Sequence, residues 1–520
     1  VAALFALAPA AVHAYAPGVS STRTTGYPGV GTDEALRNPD CDPATSKVRI
    51  PIRGSRALPP CVRAWPEGGD NGGSTARGVT AGAIKVVFRI PPNFTDEEVE
   101  TFRRMARDTF KMQDRLETWG REWELAFVKG TSNDEAGQRA DAVDIALTHK
   151  PFAVINHVPT GVLPVFEAEL ARRNIVVFGW VSLWRDLQAF PGYRYAFSMD
   201  DRIRALHIAE FVGRRLAGRR AEWAGDQSLR QKERVFGFVY PEGANLDIGF
   251  LEQELARQGV KITETQAYPA DGERAQNHAT LAITRMRSRG VTTVIALMEF
   301  TYTIAITGQA TRSDWFPEWV VTGFAALDTA VLSRLLDQKQ WKHAFGIGTV
   351  SPQVEGEPNN HIALYQWYFG RAPENGAYIG SINSPGQYLV AGVHLAGPTL
   401  TAKRLQRAIF SLPPTGGAWA GFVTVNGHSY GKRLGLPWPD YSAEDDVTVK
   451  WWDPDRVSVD EIGAEGEGTW MKVDGGKFYK IGEHPRSKPR MFVERGAVAN
   501  YTPDSVPRAE VPPEYDPPRN

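Results

Sequence analysis

Eight short apolar segments recur between Ile84 and Val350, each followed by a polar loop and a helical pattern. They read IKVVFRI (Ile84–Ile90), WELAFV (Trp123–Val128), FAVIN (Phe152–Asn156) and IVVFGW (Ile175–Trp180). The second half continues with VFGFVY (Val235–Tyr240), TVIALM (Thr293–Met298), WVVTGF (Trp319–Phe324) and FGIGTV (Phe345–Val350). Near-continuous apolar runs, rather than alternation, indicate strands covered on both faces, as in a parallel sheet flanked by helices. The fold class is therefore α/β. In open sheets of this class ligands sit outside the carboxyl ends of the strands, so the loops after these segments are where function is sought.

A chain of 520 residues exceeds one compact core and implies two or more domains. With 59 Lys and Arg against 60 Asp and Glu, it has no basic bias toward nucleic acid. The first segment, VAALFALAPAAVHA (Val1–Ala14), reads as the remnant of a signal-peptide core ending in small residues; a buried helix is the alternative. The segment is shorter than the roughly 20 apolar residues a bilayer span needs, and no later segment approaches that length. The expected location is extracytoplasmic: periplasm, cell envelope or secreted. In that setting Cys41 and Cys61, the two cysteines present, read as a disulfide worth about 3 kcal/mol in the chain-entropy account. Two free buried thiols are the other reading. No Cys or His lies nearby at zinc-ligand spacing, so neither metal nor cofactor is expected.

Residues 15–81 lack periodicity and read as an extended, disulfide-stapled surface arm. Helices are signalled by the capping box Thr95/Glu98, by Ala136–Leu147, from about Thr160, and by Ala244–Gly259 with its glycine cap. From Asn359 the pattern is helical. After Pro413-Pro414 it turns to short strands and loops, and from Pro503 to a Pro-rich, charged tail expected to be mobile.

The order GVTAGAIKVVFRIPPN, FAVINHVPTG, ARRNIVVFGW, RVFGFVYPEGAN, LEQELARQGVKI and TTVIALMEF resembles that of type I periplasmic binding proteins. Within that fold it is similar to the branched-chain amino-acid (leucine, isoleucine, valine) substrate-binding proteins of ABC importers, over about Gly78–Leu412. The resemblance implies two Rossmann-like lobes joined by three crossovers, which close on a small ligand and deliver it to an ABC permease. Lobe 1 would hold 82–201 and 350–412, and lobe 2 202–349 and 413–450. A C-terminal extension would run over 451–520. Hinge positions are expected around Asp200, Leu327, Val350 and the Pro413 region.

Carried over position by position, the resemblance places a ligand-binding hydroxyl at Thr160 with Gly161 beside it, at a helix start suited to an anion. A plain N-cap role for Thr160 is compatible with this. After the fourth strand it points to Val181, Ser182, Leu183 and Trp184, with Trp180 as a possible wall. In lobe 2 it points to Ala244, Asn245, Glu299 and Phe300. Where the family fixes the ligand ammonium with an acidic residue, this chain has Phe324, and burying an ammonium without a carboxylate is costly. Glu299 is the alternative carboxylate. A small carboxylate or aromatic ligand thus stands beside an amino acid.

Two other functions compete. Gly427-His428-Ser429-Tyr430-Gly431 matches the nucleophile elbow of serine hydrolases, but KRLGLPWPDY after it is no helix, and Asn426-Gly427 is a hairpin dipeptide. No other catalytic signature is present, so no enzyme is expected. A ligand sensor or scaffold on the same bilobal fold is the second alternative.

Overall fold

The computed structural model describes residues 27–53, 58–157, 163–244, 246–269, 272–420, 424–432 and 434–518. The signal-like segment 1–14 lies outside them. All eight apolar segments form strands. In lobe 1 these are β1 (Ala83–Ile90), β2 (Glu122–Lys129), β3 (Ala153–Asn156) and β4 (Val176–Gly179), joined by β5 (Arg194–Ala196). Their order is β2-β1-β3-β4-β5, all parallel. Lobe 2 contains β6 (Phe236–Pro241), β7 (Ile262–Tyr268), β8 (Thr293–Ala296), β9 (Glu318–Val321) and β10 (Ala344–Gly348). It also takes β11 (Val447–Val459) and β12 (Glu465–Lys472), in the order β12-β11-β10-β9-β8-β6-β7. From β7 to β10 this sheet is parallel, whereas β11 and β12 add antiparallel.

Every residue of β3, β4, β8, β9 and β10 is buried, which accounts for their unbroken apolar sequences. The polar exceptions are paired. Arg89 of β1 meets Asp141 at 2.8 Å, and Glu318 of β9 accepts from Arg234 at 2.7 Å, all four side chains inaccessible to water. Removing one member of such a pair would strand a buried charge at several kcal/mol. The capping box is formed: Thr95 N–H donates to Glu98 Oε2 at 2.7 Å, and Glu98 N–H to Thr95 Oγ1 at 3.2 Å. The helix it starts, Asp96–Lys111, buries Val99, Phe102, Ala106 and Phe110 against β1 and the long helix Gly376–Ala396.

Several expectations require correction. The third helix starts at Pro164, whose fixed φ suits a first helical position, rather than near Thr160. The N-terminal arm is no loose surface strand: Val48, Ile50, Leu58 and Val62 are part of the lobe 1 core. Cys41 and Cys61 are disulfide-bonded, with Cα atoms 5.5 Å apart. The boundary expected at 450 falls inside β11, because the extension supplies a hairpin that continues the lobe 2 sheet and buries Trp452 and Trp470. The tail is anchored as well. The Trp367 indole donates to Tyr515 O at 2.8 Å, the Tyr515 hydroxyl to Asp42 at 2.9 Å, and Thr424 N–H to buried Glu510 at 3.0 Å. Leu327, expected with the residues shortly before it as a hinge position, packs in the lobe 2 core.

The elbow-like motif is built differently from either sequence reading. His428 bridges Thr415 on one side and Glu444 on the other, and Gly427 N–H donates to Asp446 Oδ1 at 2.7 Å. Asn426-Gly427 therefore lies extended between neighbours instead of turning a hairpin. The Ser429 hydroxyl is buried without a hydrogen-bond partner among the described residues, and no helix follows it there.

Because the stapled arm packs into lobe 1, replacing Cys41 and Cys61 together by Ser is expected to destabilise the transition that includes lobe 1 by about 2–4 kcal/mol. Chemical denaturation of the full chain, followed by tryptophan fluorescence, measures it.

Candidate functional site

The segments after β4, β6, β8 and β9 line one cavity at the junction between the lobes, and the two sheets are connected by three crossovers. These run through 197–200, 349–359 and 412–446. They lie side by side: Ala196 bridges Ser442, Met199 N–H donates to Glu444 at 3.0 Å, and Asn426 N–H donates to Ser351 Oγ at 2.7 Å.

On the lobe 1 side, the loop after β3 opens with His157, packed 4.5 Å from the Phe102 ring and flanked by Phe94 and Tyr378. Burial lowers its pKa to about 4, so the imidazole is neutral at pH 7. Thr160 and Gly161, which follow in this loop, lie outside the described residues, as does Asn245 in lobe 2. In the loop after β4, Trp180 donates its indole N–H to Ser381 O at 3.0 Å and packs on Phe197. Val181, Ser182 and Leu183 line a small cavity of about 40 Å³, together with Phe324, Leu297 and Arg204 from lobe 2. Four of the expected residues are thus brought together. Ser182 Oγ, however, accepts from the Arg194 guanidinium at 3.1 Å, inside lobe 1.

Trp184 plays a different part from a ligand wall. Its backbone N–H donates to Asp201 Oδ1 at 2.7 Å, and the Arg202 guanidinium lies 3.4 Å over its ring. Arg202 also sits over Phe250 at 4.7 Å and donates to Asp247 at 2.8 Å. Trp184 of lobe 1 is thereby clamped onto the first helical turn of lobe 2. Glu299 is exposed at the N-cap of the helix Phe300–Arg312 without making a cap hydrogen bond, and Phe300 packs on the lobe 2 core. Neither joins the cavity around Phe324.

The sequence reading missed Arg204. It is the cation beneath the loop that carries Phe324, donating to Thr322 O at 3.2 Å and to Gly323 O, and to Met199 O of the first crossover at 3.3 Å. Gly323, Ala325 and Ala326 in that loop all have positive φ (66°, 50° and 58°). Two consecutive alanines in the left-handed region cost free energy and persist only where the surroundings over-determine them, a hallmark of functional loops. Tyr378 was missed too. Both lie in helical stretches whose only signal would have been polarity at an otherwise apolar position.

The hinge contains a buried carboxyl pair. Ser442 Oγ is 2.9 Å from Asp440 Oδ1 and 3.3 Å from Asp200 Oδ2, while Asp200 Oδ1 caps the following helix. Burial raises the Asp200 pKa to about 7; burial and then the Asp200 charge raise that of Asp440 well above its usual range. Asp328 of lobe 2 accepts from Thr349 N–H of the second crossover at 3.0 Å and from Val350 N–H and Lys450 Nζ, both at 3.2 Å.

Comparison with known proteins yields a fold. No sequence-family model and no curated protein matches the chain. Among solved structures, a leucine-, isoleucine-, valine-, threonine- and alanine-binding protein from Brucella ovis, in closed conformation, superposes with a TM-score of 0.53. It is 10% identical, over 79% of this chain and 99% of that one. A solute-binding protein of an ABC transporter from Rhodopseudomonas palustris HaA2, in complex with p-hydroxybenzoic acid, gives 0.52 at 12% identity, over 78% and 98%. A solute-binding protein from R. palustris in complex with 4-hydroxybenzoate gives 0.50 at 11%, over 74% and 96%. The chain therefore has the fold of the type I periplasmic binding proteins. Among the described residues no helix is long and apolar enough to cross a membrane.

Two outcomes follow from this geometry. Truncating Arg202 to Ala removes the cation–π and ion-pair clamp, worth about 1–2 kcal/mol; small-angle scattering should then show a larger radius of gyration for the unliganded chain. Asp440→Asn keeps the acceptor for Ser442 but cannot ionise. A carboxyl whose folded pKa lies above its unfolded value weakens the fold as pH rises from the unfolded pKa through the folded one. The variant should match the parent near pH 4 and be more stable at pH 8 by an amount on the order of 1–3 kcal/mol, as read from thermal unfolding at the two pH values.

Proposed function

We propose that this protein is an extracytoplasmic solute-binding protein that captures a small molecule between its lobes and presents it to an ABC permease. The observation that carries this reading is the convergence of loops from two parallel sheets on one junction, with three adjacent crossovers available as a hinge. Such an arrangement exchanges open and closed forms, and a ligand bound to both lobes stabilises the closed one.

The chemistry of the walls supports a ligand with one anionic or polar end and an apolar or aromatic body. Phe324 stands where an amino-acid binder of this fold would offer a carboxylate; the Arg204 guanidinium lines the same cavity, and the two carboxylates there, Asp201 and Asp247, already accept from the N–H groups of Trp184 and Asp247 and from Arg202. A cation there repels an ammonium. Thr160 and the adjoining backbone N–H groups are proposed as the anion pole, with Gly161, Val181, Leu183 and Asn245 as neighbours. Glu299, exposed and apart from Phe324, is left as a rim contact. The p-hydroxybenzoic acid held by the R. palustris HaA2 protein is an aromatic carboxylate of this class, on the same fold.

Mass spectrometry of small molecules released from the denatured, purified protein should identify a carboxylate of this kind. Titration calorimetry with leucine, isoleucine and valine is expected to give weak or no binding, whereas 4-hydroxybenzoate binds measurably. Thr160→Ala should weaken that binding by about 1–2 kcal/mol. Submicromolar leucine binding that survives Thr160→Ala but vanishes in Glu299→Gln would show that Glu299 holds an ammonium and would defeat the reading.

A further inference from the structure

Lobe 1 contains a second cavity that shares no residue with the interlobe one. Its volume is about 230 Å³, and it lies where the N-terminal arm, the helices Asn360–Phe369 and Gly376–Ala396 and the crossovers meet. Its apolar wall includes Ile50, Leu58, Leu364, Ala391 and Leu412, each at least nine-tenths buried. An apolar cavity of roughly 150 Å³ is enough to take up benzene. Here the space is larger, and one end is polar.

That polar end is ordered by hydrogen bonds. Gln113 Nε2 donates to Asn383 Oδ1 at 2.7 Å, which leaves the Asn383 amide nitrogen facing His361 Nδ1, also at 2.7 Å. An amide nitrogen only donates, so Nδ1 accepts and the ring proton sits on Nε2. His361 Nε2–H has no hydrogen-bond partner among the described residues, and His361 lines the cavity. His428 lines it as well. Burial lowers the pKa of His361 to about 4 and that of His428 to about 3, with His361 adding to the latter effect. Both rings are neutral at pH 7. Among the described residues the one formal cation in the wall, Arg53, is ion-paired to Glu357. The described wall therefore offers a neutral donor and no uncompensated charge. A carboxylate or an ammonium would be desolvated there without a counter-ion, at a cost of several kcal/mol.

The first and third crossovers and the helix that follows the second contribute to the wall. Phe197 comes from the first, Asn360 and His361 directly follow the second, and the third supplies Pro413, Thr415 and His428. Phe197 also packs on Trp180 of the cleft loop, with ring centroids 4.9 Å apart. We propose that this cavity is a second small-molecule site, for an uncharged ligand with a ring-sized apolar body and a hydrogen-bond acceptor, and that its occupancy is coupled to movement at the hinge. The coupling rests on the reading of the protein as a two-lobe binder; the site itself does not.

The isosteric series benzamide, benzoate and benzamidinium tests the chemistry on the full chain. Saturable binding of benzamide at least tenfold tighter than that of either ion, by ligand-observed NMR titration, is the expected result. Ala391→Phe, which fills the cavity, should abolish it while thermal unfolding confirms a folded protein. Crystals soaked with 4-bromobenzamide locate the site without any variant, by the anomalous signal of bromine. No saturable benzamide binding, equal affinity for the ions, or bromine found only between the lobes would each overturn the site. Hydrogen exchange at 197–200, 350–360 and 412–416 is expected to slow with benzamide bound. Unchanged exchange with bromine seated in the cavity would overturn the coupling alone and leave the site standing.

Discussion

Three chain segments cross between the lobes side by side, and the stretches 199–200 and 440–446, where the first and third meet, are buried throughout. Buried N–H and C=O groups must find partners within the protein or forfeit about 1–3 kcal/mol each. The unusual density of carboxylates in PDYSAEDD (Pro439–Asp446) answers that demand. Glu444 accepts from Met199 N–H, Asp446 from Gly427 and Ala418 N–H, and Asp328 from Thr349 and Val350 N–H. Glu444 ties the third crossover to the first, Asp328 ties lobe 2 to the second, and Asp446 holds the third crossover together. The same groups carry charge that burial disfavours, so the junction is held together by interactions that depend on protonation. A hinge built this way can slide without exposing an unpaired donor only if it moves between discrete arrangements, which suits a two-state binder.

The fold was largely legible because its strands are buried on both faces. VVFG is apolar throughout, and FAVIN and TVIA depart from that only at a terminal Asn156 and Thr293; runs this short and this buried fit strands covered on both faces. The strands that escaped notice lack this signature. ITETQAY forms the edge of lobe 2, where burial alternates, and RYA is three residues long with Arg194 neutralised by Glu167 from a helix distant in sequence. Asn426-Gly427 misled because the dipeptide's preference for a turn is local, whereas Gly427 is held extended by Asp446, nineteen residues away. The arm and the tail gave no periodic signal, although contacts such as Trp367 to Tyr515 fix them firmly.

At the site, topology was readable and side-chain direction was not. The strand-end rule pointed to the loops, and the family resemblance within them led to Val181, Leu183 and Phe324, which do converge. It could not reveal that Ser182 turns inward to Arg194, or that Trp184 is engaged by Arg202 across the lobes. Both outcomes depend on partners that residue type alone does not specify. Arg204 is the instructive case. Within DRIRALHIAEF it looks like one more solvated charge on an amphipathic helix, yet it reaches the carbonyls of the loop after β9.

That placement links the backbone of lobe 2 to ligand choice. Two alanines in the left-handed region are held there by a guanidinium that binds the carbonyls just before them, so the shape of the loop and the charge behind it are set by one residue. A carboxylate placed at Phe324 would compete for Arg204 and release the carbonyls it now satisfies. Recognition of an ammonium at this position would thus require rebuilding the loop, not a single substitution. The proposed selectivity against α-amino acids would in this sense be a property of the fold around β9, and it would follow from the same need to pair buried polar groups that shapes the junction between the lobes.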